Sequence, residues 1–378
     1  MFQDLGLEGW TPAAAAVALG LLLGLMFGAL AQRSRFCLRR ALVGEPHERA
    51  PALGVWSAAL AIAVAGTTLA GTYGLVSFQG HRFHAAALPV AAIILGGLLF
   101  GIGMVLARGC TSRLLVLAGT GNMRAFVAIA VFGIVAHATL KGVLAPARVA
   151  IGALTTNVGG YASLGALPGG PLAWAALLVV VLGLFVVRSG ARISHLLMGA
   201  GIGALAVAGW VGTGFVLKDE FAPIPLESLA FTSAVSEATF WAMASSAIAP
   251  TFGVGLLAGV AAGSFLAALA GRELALVGFT TQAPVGRYIV GGALMGFGGV
   301  LAGGCTIGAG LSGVASLSVA ALLALVSIVA GAYVPDLMAQ AGASKTGASE
   351  TAAPSEARTD VDPATVSLAA GAAAVASL

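Results

Sequence analysis

A chain of 378 residues that is 59% hydrophobic and only 8% charged, with a mean hydropathy of +1.02, carries too little charge to solvate a folded body of its size. Those figures exclude a soluble globular enzyme and a disordered chain. They also exclude a nucleic-acid binder, because a net charge of +4 on so apolar a chain makes no phosphate-binding stripe, even at a pI near 9.3. What remains is an all-α polytopic membrane protein, and its 55 glycines point to close helix packing or interrupted helices.

The first ten residues, MFQDLGLEGW, hold Asp4 and Glu8 and no basic n-region. Arg33, Arg35, Arg39 and Arg40 follow the first apolar stretch where a signal peptide has its small-residue cleavage site, so a retained transmembrane helix is expected. Nine stretches reach or approach the roughly 20 residues that cross a bilayer core. They are residues 12–31, 52–76, 86–107, 123–144, 172–187, 194–217, 251–270, 284–302 and 315–338. Four shorter apolar pieces lie at 35–43, 111–118, 273–280 and 306–313. Eight helical residues rise only about 12 Å, so these are expected to be re-entrant half-helices sheltered by protein or a cavity.

With nine spans and the N-terminus outside, fourteen Lys and Arg fall on the inner side, and Arg82, Lys141, Arg148 and Lys218 on the outer. That asymmetry predicts the C-terminus inside. The Gly/Pro/Thr-rich linker 145–171 is expected to cap the outer face. Residues 218–247, with Lys218, Asp219, Glu220, Glu227, Glu237, Pro223 and Pro225, read as a solvated or interfacial loop. The expected division is a first repeat half over 1–144, connecting loops and two transmembrane helices over 145–250, a second half over 251–338, and a disordered or weakly helical tail over 339–378.

An internal repeat supports the two halves. Residues 96–111, GGLLFGIGMVLARGCT, and 291–306, GGALMGFGGVLAGGCT, agree at 11 of 16 positions at a constant offset of 195. The positive-inside topology runs these segments in opposite directions, the inverted arrangement common in transporters. A second pair, Gly20/Gly24/Gly28 and Gly255/Gly259/Gly263, has GxxxGxxxG spacing at a different offset and the same direction, and reads as tight packing.

The three cysteines, Cys37, Cys110 and Cys305, each fall where an apolar helix gives way to a short apolar piece. A lone membrane cysteine is usually a small hydrophobe; three of three at helix breaks, two in a duplicated motif, favour function. The odd count argues against a disulfide framework. His47, His81, His84, His137 and His195 are scattered without metal-ligand spacing, and no CxxC occurs, so no metal and no cofactor are expected. A helix start after such a break exposes unsatisfied N–H groups and a partial positive charge. Thr111, Ser112 and Thr306 add hydroxyls, while Gly109, Gly303 and Gly304 let a ligand near the backbone. Together with a polarizable sulfur, that suits a soft sulfur-bearing anion.

At Arg33-Ser34-Arg35-Phe36-Cys37, Gly109-Cys110-Thr111-Ser112 and Gly303-Gly304-Cys305-Thr306 the chain resembles the YeeE/YedE family of sulfur-transport membrane proteins, over roughly residues 12–338. The resemblance implies thiosulfate as substrate and a monomeric, channel-like helical body with half-helices meeting near the midplane. It also implies a relay through transient S–H···S contacts along Cys37, Cys110 and Cys305, with Cys110 central. Two positions depart from the family pattern: Arg113 replaces a Gly, and Ala309 stands where a polar residue is common. Arg113 reads either as an anion ligand or as a plain inner-loop cation.

The expectation is therefore an inner-membrane transporter or channel for thiosulfate or a related small sulfur anion, not an enzyme. Its expected binding and relay residues are Cys37, Cys110, Cys305, Thr111, Ser112, Thr306, Gly109, Gly304 and Arg113. No Walker A pattern occurs, so the chain is not expected to hydrolyse ATP itself. The expected partners are the sulfur anion, the lipid bilayer and a cytoplasmic sulfur-accepting protein, with no nucleic acid. Two rivals share these residues: a membrane sulfurtransferase working through a cysteine persulfide, and a transporter of soft metals or selenium species.

Overall fold

The computed structural model describes residues 10–219, 221–278 and 283–346. Residues up to Pro335 form one compact unit; of the second unit, the described part is helical backbone as far as Thr346. Thirteen α-helices are described: α1 Pro12–Ser34, α2 Leu38–Val43, α3 Pro46–Thr72, α4 Val90–Leu106, α5 Thr111–Gly119, α6 Met123–Lys141, α7 Ala145–Gly152, α8 Gly170–Arg188, α9 Ile193–Val211, α10 Phe231–Ala244, α11 Phe252–Gly271, α12 Ala283–Leu301 and α13 Val319–Thr346. Two π-helical turns, Gly212–Val216 and Gly308–Gly313, follow α9 and α12. The only described sheet is a two-residue antiparallel pair, Ala87–Leu88 with Thr156–Asn157, which ties the linker after α7 to the residues before α4.

Local chemistry sets the helix ends. Thr11 accepts from the Ala14 N–H and Pro12 opens α1, while Asn122 accepts from the Arg124 and Ala125 N–H groups at the start of α6. Seven described segments are long and apolar enough to cross a bilayer, and α12 and α13 supply shorter apolar runs, Val285–Leu301 and Val319–Pro335. Each of the nine apolar stretches overlaps one of these helices, and the chain is a multi-pass membrane protein that is helical almost throughout.

Backbone-to-backbone packing holds the bundle. Helices α1 and α11 run side by side in the same direction: a Cβ at Gly24 would run into the Leu256 carbonyl, and one at Gly259 into that of Leu21. With no apolar driving force between helices in lipid, such close approach supplies the attraction. Helices α4 and α12 pack antiparallel, with Gly103 against Gly291 and Gly298 against Gly96, a Cβ on either Gly103 or Gly298 meeting the facing carbonyl at 2.6 Å.

Two expectations need correction. Residues 231–244, assigned to a solvated loop, form α10, whose first two turns bury Phe231, Thr232, Ala234, Val235 and Ser236. Residues 273–278 are not helical. They lie as a strap along the turn after α5, with Ala275 N–H donating to Thr120 O at 3.4 Å, Val277 N–H to Gly121 O at 3.2 Å, and Met123 N–H to Val277 O at 3.0 Å. Residues 279–282 lie outside the described residues. Of the expected tail, residues 339–346 continue α13 as helical backbone, and 347–378 lie outside the described residues.

Candidate functional site

Each cysteine sits two residues after a left-handed backbone turn. Arg35 (φ 51°) ends α1 ahead of Cys37, Arg108 (φ 55°) follows α4 ahead of Cys110, and Gly303 (φ 77°) follows α12 ahead of Cys305. A left-handed residue satisfies the last helical carbonyls and turns the chain sharply. The next one or two residues are extended, and the thiol falls at the entrance to the following short segment. Cys37 caps α2, Cys110 caps α5, and Cys305 leads into the π-helical turn.

These three distant breaks come together. All three thiols are free and buried, with Cys37 at 7%, Cys110 at 1% and Cys305 at 0% exposure. The Cys37 and Cys110 thiols lie within hydrogen-bonding reach of each other. Cys110 Sγ also lies 3.3 Å from Ser112 Oγ, and Thr306 faces it from the other repeat segment. Cys305 Sγ accepts from the Gly308 N–H at 3.4 Å. In chain of contact the order is Cys305, its neighbour Thr306, Cys110, then Cys37.

The hydroxyls of Thr111 and Thr306 are fully buried and have no nitrogen or oxygen partner among the described residues, Thr306 having only the Cys110 thiol before it; Thr232 Oγ1 on the first turn of α10 is likewise unpartnered. Burying a hydroxyl without a partner costs roughly 1–3 kcal/mol. Two of these hydroxyls, those of Thr111 and Thr306, stand at the same register of the duplicated motif. Gly304 has a packing role: a Cβ there would lie 2.7 Å from the Ala309 nitrogen, so its smallness lets the next turn fold back on it. Gly109 has Leu114 at 3.2 Å in the same way. Arg113 is not in a solvated loop. It lies partly buried on α5, facing Cys37 and Cys110.

The two ends of this thiol line differ in chemistry. Beyond Cys305 stands Arg82, on a 3-10 turn over 82–84, with its guanidinium 5.1 Å above the Phe83 ring and facing Cys305, Glu227 and Glu237. Burial, then the charge of Glu237, pushes the Glu227 carboxyl up to about 7, against the pull of Arg82. His81 is held down at about 4, chiefly by burial, with Arg82 and His84 adding repulsion. Beyond Cys37 a small cavity of about 30 Å³, room for one water, is lined by Cys37, Arg35, Arg40 and His195.

Sequence reasoning missed Arg82, Glu227 and the first turn of α10. The apolar positions 231, 234 and 235 carry a helical i, i+3, i+4 signal, but Glu237 and the prolines before it masked that pattern. Among the described residues no three His, Cys, Asp or Glu side chains are grouped to hold a metal ion.

An all-helical membrane body whose interrupted helices bring buried thiols, unpartnered hydroxyls and cationic ends into one line is that of a transport protein for small solutes. The chain belongs to the sulfur-transport family, whose profile matches residues 33–334. It is 27% identical over 344 residues to thiosulfate transporter TsuA of Escherichia coli (strain K12), covering 83% of this chain and 92% of that protein. It is also 27% identical over 351 residues to thiosulfate transporter TsuA of Spirochaeta thermophila, covering 82% and 96% respectively. The YeeE/YedE resemblance read at the three cysteine motifs thus extends over most of the chain.

Proposed function

We propose that this protein imports thiosulfate, or a closely related small sulfur anion, across the cytoplasmic membrane along Cys305, Cys110 and Cys37. The anion enters at the Arg82 end, taken as outer, and leaves at the Arg35 and Arg40 end, taken as inner because the basic residues concentrate there. The reading is supported by the adjoining buried thiols of Cys37 and Cys110, with Thr306 facing Cys110 and leading by one peptide bond to the buried Cys305, and by the unpartnered hydroxyl of Thr111.

The chemistry of that succession suits the substrate. A thiol donates weakly and is polarizable, so it engages a terminal sulfur without trapping it. Threonine hydroxyls and the N–H groups at the start of α5 satisfy the oxygens. Weak, repeated sites are what conduction needs: binding must be favourable enough to enter and weak enough to leave. The monomer is sufficient for such a path, and a sulfur-accepting protein in the cytoplasm then takes the delivered anion.

Uptake of labelled thiosulfate by liposomes holding the purified protein tests this. Cys110→Ala is expected to reduce uptake at least tenfold at unchanged protein content; uptake equal to that of the unmutated protein rejects the thiol path. A persulfide on Cys37 or Cys110 after substrate exposure, read as one added sulfur by mass spectrometry, favours the sulfurtransferase instead.

A further inference from the structure

Arg113 stands three residues after Cys110, at the register that the second repeat segment gives to Gly308. At Gly308 a backbone N–H serves Cys305, and Ala230 Cα and Cβ, each 3.3 Å from where a Cβ would lie, leave little room for a side chain. In the first segment a guanidinium occupies this register, near enough to Cys37, Cys110, Arg35 and Arg40 for their charges to act on it.

Its charge is poorly compensated. Arg40 is paired, with Nε and Nη2 donating to the two carboxylate oxygens of Glu48 at 3.0 and 2.8 Å. Arg113 touches no carboxylate. One of its donors reaches Gln32 Oε1 at a long 3.4 Å, and no other protein acceptor lies within hydrogen-bonding distance among the described residues. Gln32, itself only 9% exposed, passes the link on, its Nε2 donating to Glu273 Oε2 at 2.8 Å. The amide can adopt only this orientation, because a guanidinium only donates and a carboxylate only accepts. Glu273, on the 273–278 strap, is thus linked to Arg113 only through one neutral amide.

A guanidinium drawn from water calls for an opposite charge in contact, and its planar fork matches two oxygens of an oxyanion. We propose that Arg113 is a specificity-determining residue of the inner half of the path: it grips the oxygen end of a tetrahedral sulfur anion while the soft sulfur lies at Cys110 and Cys37. The Gln32–Glu273 link recovers the guanidinium when the anion departs, and so sets how long the anion stays. This rests on the thiol-path reading and adds to it the requirement for an oxygen-bearing anion.

The test is the concentration dependence of labelled thiosulfate uptake into proteoliposomes of the full chain. Arg113→Gln is expected to raise KM at least tenfold, with Arg113→Lys recovering part of the loss. Glu273→Gln, at an exposed position, is expected to lower both KM and maximal rate about threefold, because a less restrained guanidinium holds the anion longer. A merely structural role moves maximal rate and protein yield but leaves KM alone. An unchanged KM in Arg113→Gln, or a raised KM in Glu273→Gln, overturns the proposal; if Arg113→Gln fails to insert, Glu273→Gln carries the test. Cys110→Ala in the same vesicles separates the two levels. Loss of uptake there alongside an unchanged Arg113→Gln KM keeps the thiol path and removes Arg113 from it, while full uptake in Cys110→Ala removes both.

Discussion

The thiols of Cys37 and Cys110, carried by different interrupted helices, lie within hydrogen-bonding reach of each other in the buried centre of the bundle. Neither is bonded in a disulfide. Proximity of this kind makes the pair convertible by a mild thiol oxidant, through thiolate attack on an activated partner sulfur. Treatment with diamide is expected to remove two hydrogens from the mass of the peptide pair containing Cys37 and Cys110. It is also expected to block thiosulfate uptake until a reductant is added. Cys305, one residue from Thr306 but not in contact with another thiol, should stay available to alkylation under denaturing conditions. A fully alkylatable Cys37 after oxidation speaks against the contact.

Gly24 and Gly259 carry the α1–α11 contact, where any Cβ would strike a facing carbonyl. Gly24→Leu is expected to cost on the order of 3 kcal/mol or more, as overpacking at a closed interface does, and to lower the thermal midpoint in detergent by many degrees. Gly183, within α8, has open space where its Cβ would stand. Gly183→Ala should therefore be neutral or gain up to about 1 kcal/mol through helix propensity. Equal midpoints for the two variants contradict the packing described.

Much of this was readable from the residues. An apolar run ending in Arg-Gly-Cys-Thr or Gly-Gly-Cys-Thr states both that a helix stops and what stands at the stop, and the left-handed turns at Arg108 and Gly303 fall inside those motifs. The juxtaposition of the breaks was implied only by the family resemblance and had no local signal, because it depends on α4 and α12 packing antiparallel through glycine. The strap at 273–278 looked like a short helix since its apolar content resembles the others. What defines it is backbone pairing to Thr120 and Gly121, a long-range contact with no local signature. Helix α10 hid for the opposite reason: its polar residues, Glu237 among them, line the interior near Arg82 where a lipid-facing helix would have apolar ones.

Glu227, half-buried beside Arg82 and Glu237, gives the protein a pH dependence with a definite sign. Its folded pKa, about 7, lies above the ordinary value of 4.5. Folding therefore carries no penalty from this group below about pH 4.5, and a growing one as pH rises to about 7. At most this reaches roughly 3 kcal/mol, since one pKa unit corresponds to about 1.4 kcal/mol. Glu227→Gln should raise the thermal midpoint at pH 8 and leave it little changed at pH 4.5. Uptake by the unmutated protein should increase as pH falls through 7, because neutralising Glu227 removes a negative charge facing the arginine that meets the entering anion. Glu227→Gln should flatten that profile; a profile as steep as before assigns it to another group.

Arg108 and Gly303 hold the same left-handed turn in the two repeat segments, at φ 55° and 77°. An L-residue with a side chain pays roughly 1–2 kcal/mol for this conformation, whereas glycine does not. Arg108 is exposed and its side chain forms no hydrogen bond among the described residues, so that side chain offers little to offset the strain. Arg108→Gly is expected to stabilise the protein by about 1 kcal/mol in denaturant or thermal unfolding. Gly303→Ala should destabilise it by a similar amount, although nothing lies within 4 Å of the added Cβ, because the cost is conformational and not steric. Opposite signs at the two matched positions are the specific expectation. Destabilisation by both variants shows instead that Arg108 holds its turn through its charge, in which case Arg108→Lys should restore what Arg108→Gly loses.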